Sequence, residues 1–138
     1  MGALTWKAIT MMSNEKTQLL SLFSEESRWC KGSEAVDRHG NPVCLSDDAA
    51  VAWDIVGGVC HLFGWQRARK LFVQLQRHIF GRQKPHYNRD QEMAAMAALL
   101  DFNDASETSY EQVVATFERL PVWQGRPSVV GADTSPDT

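Results

Sequence analysis

Apolar positions recur along the chain with helical spacing, interrupted once by a short stretch with strand character. Leu19, Leu20 and Phe23, with the aliphatic stem of Lys16, give one buried face and predict a first helix from a Ser13 cap to about Arg28. Residues 35–44 hold two β-prone pieces around Gly40-Asn41, which predicts a small hairpin with Pro42 keeping its strand at an edge. A second helix is expected from a Ser46 cap, with Asp47 and Asp48 at its positive end, through Trp53, Val56, Val59, Cys60 and Phe63 to a stop at Gly64. Gly57 and Gly58 inside it each cost about 1 kcal/mol relative to alanine. A helix that tolerates both predicts a close backbone approach there.

A third helix is expected over Gln66–Phe80, ending at Gly81, with Ala68, Leu71, Phe72, Leu75 and Ile79 as its stripe. A loop with Pro85 follows. The fourth helix should run from Arg89 to Phe102 with Met93, Met96, Ala97 and Leu100 on one face, and Asn103-Asp104 should end it. Thr108 and Glu111 read as a capping box for a fifth helix, with Val113, Val114, Phe117 and Leu120 turned inward and Pro121 as its stop. The pattern predicts an all-α, compact bundle of about five helices with one short β-hairpin between helices 1 and 2. Helices 2 and 3 should form a close antiparallel pair through Gly57, Gly58 and the Gly64 turn. The expected core is Leu19, Leu20, Phe23, Trp53, Val56, Leu71, Phe72, Leu75, Met96, Leu100, Val114 and Phe117. One helical domain over 13–123 is expected. Residues 1–12 read as an irregular extension. Residues 124–138 are poor in apolar groups, hold Gly125, Pro127, Gly131 and Pro136, and read as a disordered tail.

A length of 138 residues with 43% hydrophobic and 22% charged residues suits one globular domain that needs no disulfide or metal to stabilise it. A net charge of −3 argues against a general polyanion binder. No apolar run approaches the roughly 20 residues of a membrane helix, and no secretory signal is visible. Cys30, Cys44 and Cys60 are an odd, widely spaced set, so reduced thiols and a cytoplasmic location are expected.

Trp29, Gly32, Ala35, Asp37, Gly40 and Val43 form a W-x-x-G-x-x-A-x-D-x-x-G-x-x-V run. With Trp53 and Gly57 as a W-x-x-x-G helix, Phe102-Asn103-Asp104 as an aromatic-Asn-Asp motif and Thr108 leading the last helix, the chain resembles a family of small uncharacterised bacterial and phage proteins. The likeness covers roughly residues 15 to 120. Phe102 stands where tryptophan is more usual, and Gly58 where alanine is. The family is a domain of unknown function, so the resemblance implies an architecture and no activity, and it transfers no catalytic residue.

Candidate chemistry is thin. Cys30, Cys44, Cys60, His39, His61, His78 and His86 lack the spacing of a structural zinc site, and adjacent Cys60 and His61 point about 100° apart on a helix. No nucleophile elbow, phosphate loop or dinucleotide fingerprint is present. No catalytic, cofactor-binding or metal residue is therefore assigned. Asp37, Asn103 and Asp104 sit at offsets that suit turns and helix ends, Asn103 by tolerating a left-handed conformation. The segment from Ile55 to Arg89 has no acidic residue and carries Arg67, Arg69, Lys70, Arg77, Arg82, Lys84 and Arg89. Arg67, Lys70, Gln74 and Arg77 share one helical stripe, and Trp123 follows Pro121 as an aromatic anchor. These five residues form the expected interaction surface. The leading expectation is a non-enzymatic protein-interaction or regulatory module with an unidentified protein partner, and a homo-oligomer remains open. The alternatives are a nucleic-acid-binding protein using the same stripe, with Trp65 and Tyr87 for stacking, and a small enzyme or ligand binder with a pocket between helices near Cys60 and His61.

Overall fold

The computed structural model describes residues 9–81 and 89–123. Along the chain come α1 (Ser13–Leu22), a 3-10 turn (Glu26–Arg28), β1 (Ala35–Val36), β2 (Ala52–Trp53), α2 (Ile55–Phe80), α3 (Arg89–Asp104) and α4 (Tyr110–Arg119). The protein is mainly helical, with the short antiparallel strand pair set between α1 and α2. The expected loop around Pro85 and the expected tail lie outside the described residues.

Gly64 is the single non-helical residue inside α2, at φ 80° and ψ 161°. That conformation favours glycine and breaks α2 into two arms, 55–63 and 65–80. Both ends of α2 come back to the same end of α3. The Ile55 amide donates to Asn103 at 3.0 Å, and the Phe80 ring meets the Phe102 ring at 6.3 Å. The arms therefore run antiparallel, and the four helices of the described residues, one of them broken at Gly64, make five rods, the number the periodicity predicts. The 65–80 arm runs parallel to α3, joined by the Arg69–Glu92 ion pair at 3.3 Å near one end and by Phe80 and Phe102 at the other. α1 and α4 are antiparallel. Lys16 reaches the carbonyls of Glu118 and Leu120, and the Tyr110 hydroxyl donates to the Phe23 carbonyl.

The core is one cluster. Leu19, Leu22 and Phe23 meet Val56 and Val59, then Ala68, Leu71, Phe72 and Leu75, then Val113 and Phe117. The cluster also holds Ile9 and Met11, so the packed body extends back past Ser13. The Met11 carbonyl accepts from the Trp123 amide at 2.8 Å, which pins the two ends of the described chain together. Leu20, Met96 and Leu100 pack at the edge of the core, and Val114 is half-buried.

Several element boundaries differ from the sequence pattern. α1 stops at Leu22 instead of Arg28, because Phe23 leaves helical geometry and sends its ring beneath α2. α2 starts at Ile55, not at Ser46. Ala52 and Trp53 are used as a strand against Ala35 and Val36, and Asp54 caps the helix by accepting from the Gly57 amide at 2.5 Å. The Gly40-Asn41 turn forms, with Val36 bridged to Pro42, but the main partner of β1 is the distant β2. Trp29 adds a parallel bridge to Trp53 on the other side. α3 turns Glu92, Ala95, Leu99 and Asn103 inward, and Met93 is 37% exposed. Glu92 and Asn103 are buried because each has partners, which an apolar stripe conceals. The α4 cap is Ser109, reciprocated by Gln112, one residue later than Thr108 and Glu111. Thr108 is itself buried.

The two glycines of the 55–63 arm do admit close neighbours, but not the following arm. A Cβ on Gly57 would fall on the Glu34 carbonyl oxygen, and one on Gly58 would sit 2.5 Å from the Phe23 ring. Gly57→Ala should therefore destabilise the protein by about 2 kcal/mol or more, despite a helix-propensity gain of about 1 kcal/mol. Urea unfolding followed by circular dichroism measures this, and a neutral or stabilising result would show that the 34–35 backbone moves aside freely.

Candidate functional site

Of the polar residues that stand out in the sequence, Asn103 and Asp104 meet the 29–32 segment at one end of the bundle, and Asp37 bonds within its own turn. Asn103 is fully buried. Its Oδ1 accepts from Trp29 Nε1 at 2.7 Å and from the Ile55 amide at 3.0 Å. Its Nδ2 donates to the Cys30 carbonyl at 3.0 Å and to Asp104 Oδ1 at 2.9 Å. Two lone pairs and two protons are all such an amide offers, and all are used. Asp104 Oδ1 also accepts from the Gly32 amide at 2.9 Å. Asp37 accepts from the His39 and Asn41 amides, and the bond from the Asn41 amide does most to hold its carboxyl below the usual range. These bonds serve the fold itself. Asn103 does so inside α3, not as a left-handed terminus, since no described non-glycine residue has positive φ.

Asp54, unnoticed in the sequence because it falls where a helix interior is expected, is 2% exposed. Burial raises its pKa to about 6 against the opposing bond from Gly57, and the charges of Asp104 and Glu34 add to the rise. Burial first, then neighbouring carboxylates, also pushes the Cys30 and Cys60 thiols up to about 11. A thiol held protonated at neutral pH is a poor nucleophile. His61 stacks on Trp53 with ring centroids 4.6 Å apart. Among the described residues, no three His, Cys, Asp or Glu side chains gather closely enough to hold a metal ion.

The expected interaction stripe is largely taken up inside the molecule. Arg67 pairs with Glu15 at 2.9 Å and donates to the Thr10 carbonyl. This pairing and the Met12 amide outweigh burial and hold the Glu15 carboxyl below its usual range. Gln74 is 4% exposed, accepts from the Met11 amide and donates to the Pro121 carbonyl. It is a buried fastener, not a surface residue. Lys70, Arg77 and Trp123 are half-buried. Trp65 is exposed; Arg82, Lys84, His86 and Tyr87 lie outside the described residues.

A different surface opens between the 65–80 arm and α4. A groove of about 530 Å³ is lined by His78, Ile79, Phe102, Glu111, Gln112, Ala115, Thr116 and Arg119. Beside it Phe80 is 49% exposed and rests edge-on against Phe102. Burial lowers the His78 pKa against a bond to the Thr116 carbonyl, and Arg119 and Lys16 lower it further. Its floor was not readable from the sequence, because its residues come from three separate helices.

These features define a mainly helical bundle with a small sheet at one end and a groove between two of its rods. No described helix is long and apolar enough to cross a membrane. The chain belongs to a family of unknown function (DUF6197), whose profile matches residues 20–120. Comparison with the curated proteins and with the solved structures finds no match. The family carries no assigned activity, so any functional reading rests on the geometry.

Two outcomes test this end of the molecule. Asn103→Ala strands the Trp29 indole and the Ile55 amide and should cost at least about 3 kcal/mol in urea unfolding. Asp54 has a folded pKa above its unfolded one, so its contribution to stability is full below about pH 4 and is lost as pH rises through about 6. Asp54→Asn keeps the capping oxygen without the charge. It should gain on the order of 2 kcal/mol over the wild type at pH 8 and nothing at pH 4. A gain independent of pH would remove the burial of charge as its cause.

Proposed function

We propose that the protein acts by recognition and not by catalysis. It is a protein-interaction or regulatory module that seats an amphipathic helix of a protein partner in the groove between the 65–80 arm and α4. The observation that carries this reading is Phe80, 49% exposed and set edge-on against the groove residue Phe102. A large aromatic left half in solvent beside an apolar floor is the arrangement of an interface anchor. The rim suits a helix: Glu111 and Arg119 lie about two turns apart on α4. A partner helix with a basic and an acidic residue at that separation meets both charges, while its apolar ridge covers Ile79, Phe102 and Ala115. The raised thiol pKa values weigh against cysteine chemistry. The internal use of Arg67 and Gln74 weakens the nucleic-acid reading.

Ala115→Arg fills the groove from a half-buried position without touching the buried core. From nuclease-treated native lysate, the wild-type chain should retain one protein in near-equal amount, cross-linked through a helical segment to α4. Ala115→Arg, with an unchanged melting temperature, should lose it by about tenfold or more. Equal retention by the variant overturns the groove as the site. A complex that vanishes with nuclease assigns the function to nucleic acid instead.

A further inference from the structure

A second groove, of about 620 Å³, lies on the small sheet and shares no lining residue with the first. Its size falls within the range of small-molecule sites. The sheet brings its parts together from three stretches of chain. Residues 27–30 bridge to β2 through Trp29 and Trp53, residues 36–40 form the turn after β1, and residues 50–53 lead into and form β2. Val36, Ala52 and Trp53 supply apolar surface. Arg28 and Arg38, both exposed, line the same groove from two of these stretches. Among the described residues neither guanidinium has a carboxylate partner; Arg38 Nε donates to His39 Nε2 at 3.3 Å. Asp37 also lines the groove, but its Oδ1 is already held by two backbone amides. The local charge of the lining is therefore positive, in a chain whose net charge is −3.

We propose that this groove binds a small organic anion, with an apolar body against Val36, Ala52 and Trp53 and its anionic head held between Arg28 and Arg38. Guanidinium groups suit either a carboxylate or a phosphate head through paired N–H donors. The binding requires no bond making or breaking. It is independent of the helix-docking groove, so either site can stand without the other.

The test is titration of the full ¹⁵N-labelled chain with benzoate, phenyl phosphate and benzyl alcohol, followed by amide chemical shifts. At least one anion should give saturable shifts confined to residues 27–30, 36–40 and 50–53. Benzyl alcohol, the uncharged analogue, should bind at least about fivefold more weakly. The double variant Arg28→Gln/Arg38→Gln should lower the affinity for the anion to that of the alcohol. The tighter of the two anions identifies the head. No saturable shift from either anion up to about 10 mM, shifts spread over the helical core, or equal binding of benzyl alcohol to the wild type would each overturn the proposal. The comparison with benzyl alcohol needs no variant, so it decides the role of charge even if the double variant folds poorly.

Discussion

The side-chain amide of Asn103 is the constraint on which this end of the molecule depends. It joins the 29–32 segment, the start of α2 and the end of α3, which are separated by more than seventy residues at the widest. None of these pieces satisfies itself. The first amides of a helix have no partner within it, and the Trp29 indole is half-buried. A single four-bond group answers both needs and removes any freedom to slide one segment past another. Because Trp29 is bridged to Trp53, the same amide fixes the outer edge of the sheet and with it one wall of the Arg28 and Arg38 groove.

The dense packing around α2 carries an electrostatic consequence. With no side chain at position 57, the helix comes up against the Glu34 carbonyl, and Asp54 is sealed beneath it near Glu34 and Asp104. Closeness that favours dispersion contacts thus gathers like charges in a poorly solvated place. The carboxyl and the two nearby thiols respond alike, each held toward its neutral form. A cluster that looks reactive by composition is accordingly a place where charge is suppressed.

Much of the fold was legible because it rests on period and punctuation. The Gly64 reversal, the 65–80 stripe and the α4 face follow from local spacing, and they survive folding because nothing distant competes with them. What failed was whatever a distant partner decides. Residues 46–53 have a good cap and acidic first turn, yet Ala52 and Trp53 pair with β1 and delay the helix to Ile55. α3 turned because Arg69 neutralises Glu92 and the 29–32 segment satisfies Asn103, so polar residues took inward positions that an apolar count assigns to methionine. For the site, the motif residues were visible but their mutual bonding was not. Neither groove follows a single stretch of sequence.

The basic stripe shows why a surface pattern is weak evidence of a surface role. Arg67 and Gln74 have the spacing of a binding face, but the chain before α1 and the chain after α4 lie across them. Gln74 gives one bond to each of those segments, and the Met11 carbonyl bonds the Trp123 amide directly. A partner that recruited Gln74 would have to break both of its bonds and expose Met11, a fully buried residue. That loss exceeds the roughly 0–1 kcal/mol of an exposed ion pair. Phe80 and the two arginines of the sheet differ from this stripe in being already in solvent.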